Sequence, residues 1–130
     1  LLLPKGDYFM ANRSIVHVDF PANNPKESAE FYANLFGWAT VHDQNFDYWM
    51  FQTEEARGGG FVSTEGGPSP AKVGEITVYV GTDDLDGDLA KAVSLGATVA
   101  MPKTELPGVG WMGMFTDPTG NKVGLFQYNT

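Results

Sequence analysis

A strand-then-helix phrase occurs twice in this chain of 130 residues, about sixty positions apart. Ile15-Val16-His17-Val18-Asp19-Phe20 leads into a helix ending at Leu35-Phe36-Gly37, and Glu75-Ile76-Thr77-Val78-Tyr79-Val80 leads into one ending at Ser94-Leu95-Gly96. Such a repeat restricts the chain to paired modules, each too small to bury a core alone. Pseudo-twofold modules place matching strands about one hollow, so His17 is expected to look across it toward Thr77.

In the first module, alternation sets Ile15, His17 and Asp19 on one strand face and Val16, Val18 and Phe20 on the other. Asn24 reads as an N-cap, with Pro25 at the first helical position, Glu27 completing a capping box and Gly37 ending the helix. Ala29, Tyr32, Ala33 and Phe36 form the apolar stripe between them. Trp38 to His42 and Tyr48 to Thr53 read as a hairpin across Asp43-Gln44-Asn45, and Gly58-Gly59-Gly60-Phe61-Val62 opens a fourth strand.

The second half repeats the order. Glu75 to Val80 is a strand, and Asp84 caps a helix burying Leu85, Leu89, Ala92 and Val93 that Gly96 stops. Ala97 to Met101 follows as a strand and Pro102 to Gly110 as a loop. Trp111 to Thr116 and Lys122 to Tyr128 then flank the turn Asp117-Pro118-Thr119-Gly120-Asn121. The expected fold is α+β: two βαβββ modules forming a curved, partly closed mixed β-sheet around a central cavity, with the helices outside. Residues 12–65 and 73–130 are the modules of one compact domain, 66–72 a turn-rich linker, and 1–11 a leader or remnant with a natural start near Met10.

Charge and composition narrow the function classes. A net charge of -8 repels phosphate backbones and anionic lipid, which argues against nucleic-acid and membrane partners. No cysteine is present, so thiolate metal sites and cysteine nucleophiles are excluded. Leu1-Leu2-Leu3 is too short for a secretory or membrane segment, which makes the cytoplasm the expected location. Gly58-Gly59-Gly60 lacks the following helix and Lys-Ser/Thr start of a phosphate loop, and no hydrolase elbow or common metal motif occurs.

The chain resembles the vicinal oxygen chelate superfamily of glyoxalases, bleomycin resistance proteins and extradiol dioxygenases, over residues 14 to 128. The likeness rests on Ile15-Val16-His17, on the run from Pro25 through Phe31-Tyr32-Ala33-Asn34-Leu35-Phe36-Gly37-Trp38, and on Asp117-Pro118-Thr119-Gly120-Asn121. The run Pro102 to Trp111 resembles a glyoxalase-related subgroup of unassigned reaction. The resemblance implies a divalent ion held by His or Glu at the centre of each module's first strand and the end of its last. Only His17 matches: the corresponding positions are Thr77, Gly124 and the ligand-free run Gly59-Gly60-Phe61-Val62. One imidazole does not hold a catalytic metal, because such sites take about three protein ligands.

Three function classes remain open, the last a subunit or fused-domain remnant that binds no ligand and uses its sheet only for pairing. In the first, the protein binds a small, partly hydrophobic molecule in the central cleft with no cofactor, using His17, Asp19, Thr77, Tyr79, Trp111, Gly124 and Phe126. There Trp111 could close over the ligand from its Pro/Gly loop, and Gly60 and Gly124 would make the pocket roomier. In the second, a lyase, isomerase or dioxygenase holds a divalent metal at His17 with Asp19 or Glu75. His17 is then the one candidate acid or base, since its ordinary pKa of about 6.5 allows proton exchange near neutrality. His42, beside Asp43 at a strand end, is expected to face solvent. A homodimer is expected, because edge strands need cover.

Overall fold

The computed structural model describes residues 13–44, 47–54, 58–65 and 71–129. The expected leader, residues 66–70 of the linker and Asn45 of the first hairpin lie outside them. The first module runs β1 (Ile15–Ala22), α1 (Pro25–Phe36), β2 (Ala39–Asp43), β3 (Tyr48–Gln52) and β4 (Gly58–Ser63). The second runs β5 (Thr77–Gly81), α2 (Leu85–Ser94), β6 (Thr98–Leu106), β7 (Gly110–Thr116) and β8 (Lys122–Tyr128). This is the α+β repeat of two βαβββ modules. Strands follow the order β2-β3-β4-β1 in the first and β5-β8-β7-β6 in the second. In each, the first and last strands pair in parallel and the others antiparallel, so both groups are mixed. Two compact units emerge, residues 17–78, and residues 79–129 together with 13–16.

Local chemistry accounts for the helices. Asn24 accepts from the Glu27 N–H at 3.2 Å, and Gly37 ends α1 at φ 74 while donating to the Ala33 carbonyl. Asp84 accepts from the Gly87 N–H at 3.0 Å, and Gln127 of β8 accepts from Leu85 N–H at 2.9 Å, which fixes the start of α2 to the sheet. Burial across residues 21–30 recurs position for position across 81–90, so the repeat read from sequence is a repeat of packing.

The first core is aromatic. Phe51, Phe61, Ala22 and Ala29 are buried, with Phe20, Tyr32, Trp38 and Trp49 packed against them. Trp38 stacks on Phe51 at 4.3 Å and Tyr32 on Phe61 at 5.3 Å between centroids, a geometry that adds to the burial energy. The second core has Leu85, Leu89 and Leu125 beneath α2, joined by Val80, Trp111 and Phe115.

Three expectations need correction. Phe36 and Val93, expected on the buried helical stripes, are 57% and 48% exposed, and each lies in the last turn of its helix, beyond the buried Ala29 and Leu89. Pro102 does not begin a loop: β6 continues through it to Leu106, and the turn covers only residues 107–109. Pro102 is tolerated because β6 ends the strand order and its register with β7 shifts between Val99, Met101 and Thr104, where no ladder bond from residue 102 is needed. The fifth strand starts at Thr77 rather than Glu75, whose carboxylate instead accepts from the Lys72 N–H at 2.6 Å in the preceding turn.

Candidate functional site

Val18 and Phe20 alternate with His17 and Asp19, and Phe20 joins the core under α1, so the two polar side chains stand on the opposite face of β1. On β3, Trp49 and Phe51 enter that same core, which turns Tyr48 onto the polar face. Between β3 and β1 lies β4, where Gly60 is the register partner of both Asp19 and Met50. The Tyr48 ring crosses the strand at that glycine. A Cβ on Gly60 would stand 2.0 Å from Cζ and 2.1 Å from the phenol oxygen.

Having crossed, the Tyr48 hydroxyl donates to Asp19 Oδ1 at 2.7 Å. His17 Nε2 lies 2.8 Å from the same Oδ1 and 2.7 Å from the phenol oxygen. A carboxylate only accepts, and the phenol proton is already directed to it, so Nε2 carries a proton in this arrangement and shares it between the two oxygens. The result is a closed three-membered cluster, with the His17 and Asp19 side chains 27% and 16% exposed. Chemically it offers an oriented imidazole and a partly shielded carboxylate whose bonds are charge-assisted.

The second module uses a glycine the same way with opposite polarity. Tyr79 of β5 is the register partner of Gly124 of β8, and a Cβ there would lie 2.3 Å from the ring's Cδ2. Tyr79 is 3% exposed among Met101 and Met114, with Val16, Met112 and Phe126 packed against them. The extra room expected at Gly60 and Gly124 is therefore not there: tyrosine rings fill both places, because a glycine in a strand is a seat for a neighbouring ring as readily as a gap.

The remaining candidates fall in separate places. Thr77 is buried, and its hydroxyl donates to the Glu75 carbonyl at 3.4 Å. Phe126 lies half-buried beside Tyr128, with ring centroids 4.6 Å apart. Trp111 is not on a loop: it sits within β7, packs on the α2 side with Leu85, Leu89 and Leu125, and has the Lys103 ammonium 4.9 Å from its ring centroid. His42 is exposed as expected and stacks on Trp49 at 4.6 Å. Two open grooves of about 400 and 580 Å³ follow α1, one lined by Asn23, Glu27 and Phe31, the other by Phe36, Trp38 and Gln52; neither is lined by His17, Asp19 or Tyr48. Sequence reasoning missed Tyr48 as a site residue. Its position out of phase with Trp49 and Phe51 was the available signal.

A family model described as a glyoxalase-like domain matches residues 15–126. The chain belongs to the glyoxalase-like domain family. It is 31% identical over 127 residues to proteins of Mycobacterium bovis and Mycobacterium tuberculosis that carry the name "Putative glyoxylase CFP32". That match takes in 86% of this chain and 44% of theirs, so the chain spans less than half the length of these curated relatives. A glyoxalase/bleomycin resistance protein/dioxygenase superfamily member from Vibrio splendidus superposes with a TM-score of 0.62 at 9% identity, over 88% of this chain and 98% of that one. The Mn(II)-bound glyoxalase of Novosphingobium aromaticivorans gives 0.64 at 18% identity, over 89% of this chain and 39% of that one. At such identities these likenesses establish the fold alone.

The positions that the resemblance assigns to ligands hold His17, Gly60, Thr77 and Gly124. Two of these have no side chain and are covered by tyrosine rings, and the Thr77 hydroxyl is turned to a backbone carbonyl. Among the described residues no three His, Cys, Asp or Glu side chains converge. This donor set does not fit the family's divalent ion, for which a hard or borderline cation takes about three nitrogen or carboxylate donors. No described helix is long and apolar enough to cross a membrane.

Proposed function

We propose that this protein binds a small, partly hydrophobic molecule on the sheet face carrying His17, Asp19 and Tyr48, and does so without the divalent metal used by relatives. The observation that carries the proposal is the Tyr48 phenol reaching across Gly60 to close a cluster with the histidine and the carboxylate. Three polar groups that fix one another's orientation on an otherwise aromatic module are the few placed polar groups a small-molecule site needs. In the second module, Tyr79, Phe126 and the backbone at Gly124 provide an apolar face of their own, lined further by Met112 and Met114. Thr77 would add a hydroxyl. The same reading takes the protein as a cytoplasmic homodimer, since β2 and β6 end their strand orders and an acidic surface of charge -8 suits neither nucleic acid nor anionic lipid.

The test is a heteronuclear NMR titration of tag-free protein with a panel of small aromatic and aliphatic compounds. Saturable shifts at Gly60 and His17 for at least one compound are expected. A panel that moves no resonance of this face counts against binding. Parallel titrations with Mn(II), Ni(II) and Zn(II) address the enzyme reading: stoichiometric metal that His17→Ala abolishes would replace the proposal with a metal-dependent lyase, isomerase or dioxygenase.

A further inference from the structure

Both hydrogen bonds that reach Asp19 end on the same oxygen. His17 Nε2 and the Tyr48 hydroxyl converge on Oδ1, and among the described residues Oδ2 carries no hydrogen bond. The side chain is 16% exposed and no unpartnered side-chain oxygen among the described residues is fully buried, so Oδ2 is reachable, and its neighbour Oδ1 is held as a charged acceptor by two donors. Beside it, the Tyr48 ring is pinned over Gly60 and stacked with the His17 ring, with centroids 6.4 Å apart and planes inclined by 25°.

This reverses the polarity of a metal site. A bound cation offers an empty orbital to the lone pairs of ligand oxygens, whereas Asp19 Oδ2 offers a lone pair and a negative charge. A ligand oxygen would meet a like charge, and a carboxylate or phosphate would meet it inside a chain of net charge -8. An N–H donor bearing positive charge satisfies the oxygen, offsets the charge and can lie against an aromatic face.

We infer that the ligand of this face carries a cationic N–H donor, an organic ammonium or amidinium group, which pairs with Asp19 Oδ2 beside the Tyr48 ring. The inference rests on the binding function proposed above. Tyr48 acts as a positioning residue that holds Asp19 with Oδ2 outward, and Gly60 is what lets it do so.

Three probes with one ring and different charge test it: benzamidine, benzamide and benzoate, each titrated into the full chain and followed at the Gly60 and Asp19 amides and the His17 ring. Benzamidine is expected to saturate with shifts centred on these residues and to bind at least roughly tenfold more tightly than benzoate, as one charge-assisted pair allows. Asp19→Asn should erase that preference, and Tyr48→Phe, which leaves the carboxylate in place, should weaken benzamidine severalfold. Benzamide or benzoate binding the same residues as well as benzamidine would overturn the inference and leave the binding function standing. Silence from all three would overturn the inference, and the wider panel above would then decide the binding function separately. Benzamidine binding that is unchanged by Asp19→Asn would identify general attraction to an acidic surface and also overturn the inference.

Discussion

Tyr48 and Gly60 occupy adjacent strands, and the tyrosine ring lies where the glycine's side chain would be, 2.0 Å from a Cβ built there to Cζ. One residue's lack of a side chain thus decides where another residue's hydroxyl ends up. That hydroxyl is 2.7 Å from both Asp19 Oδ1 and His17 Nε2.

Gly60→Ala should therefore expel the ring and open the cluster. Overpacking of this kind costs about 1–3 kcal/mol. Urea unfolding should register that loss, and the His17 ring resonances should move with it.

Tyr48→Phe isolates the hydroxyl from the ring. The ring still covers Gly60, while Asp19 Oδ1 loses the phenol donor and His17 Nε2 loses the phenol oxygen. For a partly exposed cluster the expected cost is about 1 kcal/mol, smaller than that of Gly60→Ala, and urea unfolding of the two variants side by side checks the order.

Gly124→Ala tests the corresponding seat in the second module. Tyr79 is 3% exposed and enclosed by Met101 and Met114, so its ring cannot escape to solvent as the half-buried Tyr48 can. The variant should lie at the upper end of the overpacking range, about 3 kcal/mol, with shifts in the methionine methyl resonances.

Asp117 supplies a pH dependence. Its Oδ1 accepts from the Asn121 N–H at 2.9 Å and from the Thr119 hydroxyl and N–H at 2.8 and 2.9 Å, closing the turn between β7 and β8. The bond from the Asn121 backbone, then that from the Thr119 side chain, hold its pKa below the ordinary 3.8. A carboxylate lowered by folding stabilises above its unfolded pKa, and that stability is lost as pH falls through the folded value. Asp117→Ala should melt below wild type near neutral pH, with the gap in melting temperature narrowing as pH is taken below 3.8.

Much of this was legible in the chain. Caps at Asn24 and Asp84 and the left-handed stop at Gly37 are local rules, so they could be read without neighbours. The continuation of β6 through Pro102 could not, because a proline is tolerable there only once the strand is known to end its order and to carry register shifts. Trp111 followed the same logic: with residues 102–106 in a strand, it became a core side chain instead of a lid.

Periodicity and capping, set by neighbours a few residues away, let the sequence alone determine the two βαβββ modules and the polar parity of His17 and Asp19, and the sequence shows Gly60 and Gly124 as strand positions without side chains. What fills the space over those glycines was decided by tertiary structure. Whether a strand glycine leaves a gap or seats a ring depends on which side chain the adjacent strand brings over it, and that register joins residues far apart in the chain. In this protein Tyr48 and Tyr79 arrive there, the first making a polar cluster and the second an apolar one.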